Sequence, residues 1–216
     1  MTHVLVTGGA RGIGRALCDA ARDAGWRVSC TLRGGRAPDG VQGYGLDLCD
    51  LSGLDALSRD LGSVDVLIHN AGILGPTAGP LDLRQQDFGE VMQVNALAPF
   101  AITQALLPNL RAATGARVLA ISSQMAWMGY AKPDHIAYRM SKVALNKGMQ
   151  GLATLLAPEG IAVACIDPGW VRTEMGGPEA DRDPDDVARQ IIALVAGLDM
   201  TRSGRFLQPC GTQRDW

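Results

Sequence analysis

The chain has 216 residues, 47% hydrophobic and 19% charged, with a formal net charge of −2. That length suits one well-buried domain spanning 1–216, and the composition excludes a disordered chain. With no basic run to meet a phosphate backbone and no apolar run near the ~20 residues of a membrane span, neither nucleic acid nor membrane is an expected partner.

Strands are expected at His3–Thr7, Arg27–Leu32, Gly43–Leu46, Val64–Asn70, Ala116–Ser122, Ile161–Asp167 and Gly204–Leu207, several of them nearly continuous Val, Leu and Ile. Helical patterns fall between them at Gly12–Ala24, Leu51–Leu61, Arg84–Ala112, His135–Leu156 and Asp185–Gly197. Alternation of this kind predicts an α/β fold, a parallel sheet covered by helices on both faces. The N-terminus enters a strand directly rather than through a signal-like segment, and the five cysteines lack metal or redox spacing. A cytoplasmic protein with reduced thiols and no metal is the expectation.

After the first strand, Thr7-Gly8-Gly9-Ala10-Arg11-Gly12-Ile13-Gly14 opens a helix. Glycines there let backbone turn sharply and approach a pyrophosphate, whose charge a helix N-terminus favours. The second strand ends in Thr31-Leu32-Arg33, with no acid to bind a ribose hydroxyl. Arg33, aided by Arg11, suits a 2′-phosphate, so NADP(H) is expected over NAD(H). Asp47 and Leu48 follow the third strand and Asn70, Ala71 and Gly72 the fourth, at the strand ends where open α/β sheets bind ligands.

The sharpest signal is Tyr138-Arg139-Met140-Ser141-Lys142. Tyr138 and Lys142 are four residues apart and share a helix face. A free phenol titrates near 10 and is a poor base, but an adjacent ammonium favours its phenolate, so the pair can exchange a proton. Ser122-Ser123 ends the fifth strand, Asn95 lies in the long helical pattern, and Pro168-Gly169-Trp170-Val171-Arg172-Thr173 follows the sixth.

In their order these segments resemble the short-chain dehydrogenase/reductase family over nearly the whole chain, and its C-factor-like branch most. The resemblance implies one Rossmann-type doubly wound domain, a seven-stranded parallel sheet in the order 3-2-1-4-5-6-7. It implies a catalytic set of Asn95, Ser123, Tyr138 and Lys142, with Ser123 orienting the substrate oxygen and Asn95 holding a water against the lysine. The cofactor would lie against Gly8, Arg11, Gly12, Ile13, Gly14, Arg33, Asp47, Leu48, Asn70, Ala71 and Gly72. At its nicotinamide end the contacts implied are Tyr138, Lys142, Pro168, Gly169, Val171 and Thr173.

The implied reaction is hydride transfer between NADP(H) and a small-molecule carbonyl or secondary alcohol. The alternative is a cofactor-binding signalling protein with incidental catalysis. Fifteen positions separate Ser123 from Tyr138, somewhat more than is usual in the family. The extra residues fall in 127–136, so Trp127, Met128 and Tyr130, with Trp170, are candidate substrate walls. A homodimer or homotetramer is expected through the two long helical patterns, where Ala98, Phe100, Ala101, Leu106, Ala144, Leu145, Met149 and Leu152 are candidate faces.

Overall fold

The structure, a computed structural model, describes residues 1–216. Its elements run β1 (His3–Thr7), α1 (Gly12–Asp23), β2 (Arg27–Leu32), β3 (Gln42–Gly45), α2 (Leu54–Leu61) and β4 (Val66–His69). They continue with α3 (Gln85–Met92), α4 (Ala98–Ala105), α5 (Leu107–Arg111), β5 (Arg117–Ile121), α6 (Ile136–Leu156), β6 (Ala162–Ile166), α7 (Pro184–Ala196) and β7 (Phe206–Leu207). All seven strands form one parallel sheet in the order β3-β2-β1-β4-β5-β6-β7. The order turns back at β1/β4, the crevice where such sheets bind nucleotides.

Strand alternation explains the two cores. Val4, Val6, Ile68 and Ile166 face α1 and α7, meeting Leu17, Ala21, Val187 and Ile191. Leu5, Leu67, Val118 and Val163 face the opposite layer, packing with Leu57, Ile102, Leu110, Leu145 and Met149. Because both faces are covered, the strands read as continuous apolar runs rather than as alternation with polar residues. No helix is long and apolar enough to cross a membrane.

One expected helix is not continuous. The Arg84–Ala112 pattern divides into α3, a π-helical turn Gln93–Leu97, α4 and α5. Pro99 and Pro108 cannot donate the backbone bond that a continuous helix needs, and each sits in the first turn of a new one. The apolar spacing runs through both breaks and so hides them. Ala98, Leu106, Leu145 and Met149, candidate faces for a second subunit, are buried in the core. The exposed apolar residues on these helices are Leu97, Met140 and Leu155.

Candidate active site

Close backbone packing builds the glycine loop between β1 and α1. Gly8 and Gly12 adopt φ of 72° and 55°, a region that favours glycine. A Cβ on Gly14 would stand 2.1 Å from the Gly8 carbonyl oxygen and 2.4 Å from Asn70 Nδ2. Asn70 fastens the loop to the end of β4, donating from Nδ2 to the carbonyls of Thr7 (2.9 Å) and Gly8 (3.2 Å). Thr7 Oγ1 returns the tie, accepting from the backbone of Asn70 and Ala71.

These features suit a dinucleotide phosphate. Helix α1 begins without a side-chain cap or a first-turn acid, leaving its positive end for an anion. At the end of β2, Arg33 is exposed and makes no ion pair or hydrogen bond. Close by, burial and Asp47 push the Cys49 thiol up while Arg33 pulls it down, so Arg33 and Asp47 share one rim. Asp47 itself caps the next turn, accepting from Cys49 N at 2.9 Å, and Leu48 is buried. Arg11, by contrast, is already paired with Glu174. Both side chains are exposed, where such a pair is weak and readily exchanged for another anion.

The segment after β6 closes over this loop. Thr173 Cγ2 would meet a Cβ on Gly12 at 3.4 Å, and Thr173 Oγ1 accepts from Gly176 N. Gly169 has φ 77° and turns the chain beside buried Pro168. Val171 is buried, and Ile13 is half-buried against the core. Asp167, unmarked by the sequence reading, organises the turn: it accepts from Gly169 N at 3.0 Å and binds Arg214 at 2.7 Å.

The candidate reacting groups lie where β5 ends against α6. Tyr138 is 8% exposed, and burial pushes its phenol up to about 12, with the Ser123 hydroxyl beside it working in the opposite direction. Lys142, one turn further on, is buried, and desolvation lowers it to about 8. Its Nζ donates to the Ile121 carbonyl at 2.8 Å and lies 5.6 Å from the Tyr138 ring centre. Ser123 is half-buried, and its Oγ caps a short 3-10 turn by accepting from Met125 N.

Asn95 is buried in the middle of the π-helical turn, and its amide makes three hydrogen bonds. Nδ2 donates to the Ile73 carbonyl (2.8 Å) and to Ser141 Oγ (3.0 Å), while Oδ1 accepts from Ile73 N (2.8 Å). Ser141 Oγ in turn donates to the Tyr138 carbonyl at 2.7 Å. Gly72 fits in the gap, since a Cβ there would lie 3.2 Å from Asn95 Oδ1 and 3.6 Å from Lys142 Nζ. The amide thus ties the segment after β4, the π turn and α6 together. Spacing alone showed Ser141 on the tyrosine helix but not what it bonds.

The candidate substrate walls divide. Met128 is 73% and Trp170 48% exposed, and Trp170 Nε1 donates to the Gly176 carbonyl. Trp127 lies under the Arg214 guanidinium, 5.4 Å from ring centre to Cζ. Tyr130 is occupied on its own account, flanked by Lys132 and Arg139 at 5.3 and 5.2 Å from its ring centre.

Known proteins share this fold. The profile of the short chain dehydrogenase family matches residues 2–184. C-signal of Myxococcus xanthus is 40% identical over 157 residues, 72% of this chain and 94% of that protein. Among solved structures, the carbonyl reductase Sniffer of D. melanogaster superposes with a TM-score of 0.94 at 28% identity, covering 100% of both chains. The NADPH-bound carbonyl reductase from chicken fatty liver gives 0.90 at 25% identity, covering 100% of this chain and 99% of the other.

Proposed function

The chain belongs to the short-chain dehydrogenase family and is an oxidoreductase, and from that premise we propose that it interconverts a small-molecule carbonyl and its alcohol with NADP(H), Tyr138 exchanging the proton. One observation carries the reading: a buried tyrosine and a buried lysine stand one turn apart, beside a half-buried serine at the sheet's C-terminal edge.

When bound, the nicotinamide supplies or accepts the hydride. Ser123 holds the substrate oxygen and stabilises the charge that develops on it. In reduction Tyr138 gives that oxygen its proton, which its raised pKa retains at neutral pH. In oxidation the same phenol must lose the proton first, and the Lys142 ammonium favours that loss. Desolvation lowers Lys142, which makes its proton easier to pass on. Asn95 and Ser141 keep α6 in register with the end of β4. Arg33 and the uncapped α1 terminus hold the phosphates, with Arg11 free to leave Glu174 for the 2′-phosphate.

The reading as a signalling protein with incidental catalysis gives no reason to bury a lysine beside a tyrosine at this edge. Consumption of NADPH and NADH against a panel of aldehydes, ketones and quinones separates the two. Turnover is expected with NADPH preferred, and Arg33→Asp is expected to shift the NADPH-to-NADH ratio of kcat/KM towards NADH by about tenfold or more. No turnover by a properly folded protein over the whole panel would reject the enzymatic reading. An unchanged ratio would remove Arg33 as the phosphate ligand.

A further inference from the structure

The segment between Ser123 and Tyr138 is longer than the chemistry requires, and the structure shows how it is held. It leaves the short turn Gln124–Ala126, which Ser123 caps, and re-enters α6 at Ile136, two residues before Tyr138. Its middle, 127–135, contains no regular element. What orders it is the residue next to Tyr138 in sequence.

Arg139 has a side chain only 8% exposed, unusual for a guanidinium. Nε donates to the Asp134 carbonyl at 2.8 Å, and Nη2 donates to Asp134 Oδ1 at 2.6 Å. Nη1 reaches back to the Tyr130 carbonyl at 3.3 Å, and the guanidinium lies over the Tyr130 ring. One planar fork thus gathers two backbone carbonyls, a carboxylate and an aromatic face from a single loop.

The far end of the loop is pinned too. Ile136 N donates to the Ala78 carbonyl. His135, at φ 46° the one non-glycine residue with positive φ, approaches Thr77 Oγ1 at 3.3 Å. A left-handed histidine costs a little conformational energy and persists because its surroundings fix it.

We propose that Arg139 is a positioning residue for the substrate pocket, clamping loop 127–135 to α6 and so setting the pocket wall relative to Tyr138. The inference rests on the reading of Ser123 and Tyr138 as the reacting pair. Lysine keeps the charge at this position but cannot reproduce the fork.

The test is hydrogen–deuterium exchange of the full chain, with Arg139→Lys and Asp134→Asn compared with the parent. Asp134 is half exposed, so its variant keeps the question answerable if Arg139→Lys does not fold. Exchange in 127–135 is expected to quicken by about tenfold or more, with β5 and α6 unchanged. On the best carbonyl substrate of the panel, KM is expected to rise several-fold with kcat nearly constant. Unchanged exchange in both variants overturns the proposal, as does equal acceleration across β5 and α6 or a loss of kcat at constant KM. Exchange needs no turnover, so a failure of the Tyr138 chemistry would be seen separately.

Discussion

At the residue scale, Tyr138 and Lys142 are set in opposite directions by one cause. Burial disfavours the charged form of each, so it raises the phenol and lowers the ammonium. The consequence for pH has a definite sign. Reduction should hold through neutral pH and fall as pH rises past about 8, where Lys142 loses the proton that recharges Tyr138. Oxidation should rise with pH over the same range, because it draws on the phenolate. Lys142→Met should abolish the fall in reduction near pH 8 and slow oxidation below that pH, where the parent's ammonium favours the phenolate. Rate profiles in both directions check this, and limbs unmoved by Lys142→Met would contradict it. The four-residue spacing made this pair legible in the sequence. The Arg139 clamp and the Asp167–Arg214 pair were not, because nothing local says which carbonyl or carboxylate a buried guanidinium will meet. Asn95 was legible as a site residue, whereas the engagement of its amide with Ile73 and Ser141 was not.

At the element scale, the central strands β1, β4, β5 and β6 were legible as apolar runs because both of their faces are buried, whereas β3, Gln42-Gly43-Tyr44-Gly45, is polar and partly exposed. Their order along the sheet came from the family resemblance, since periodicity says nothing about which strands are neighbours. The break in the long helical pattern at 93–97 and again near Leu106 was masked by apolar spacing that continues through it, although Pro99 and Pro108 marked both places. The glycine loop is the element whose geometry is most demanding. Gly14→Ala would drive a methyl against the Gly8 carbonyl and Asn70. It should cost about 1–3 kcal/mol of stability and weaken cofactor binding. Gly151 in α6 faces open space, and Gly151→Ala there should stabilise by roughly 0.5–1 kcal/mol. Thermal denaturation and cofactor titration of the two variants check the contrast, and equal effects would show that the loop is not tightly packed.

At the scale of the whole molecule, the parts converge on one edge of the sheet. The glycine loop, the Asn70 tie, the Ser123 turn, the Pro168-Gly169 turn and α6 all lie at the C-terminal ends of the parallel strands, where the crossover leaves a crevice. The chain's last residues reach the same edge, where Arg214 joins Asp167 to Trp127. The central claim is that this convergence serves proton exchange by Tyr138. The most direct measurement is NADPH consumption by Tyr138→Phe beside the parent, with cofactor affinity measured on both. The account predicts unchanged affinity and a loss of turnover of about 10²–10⁴-fold; turnover near the parent's would contradict it.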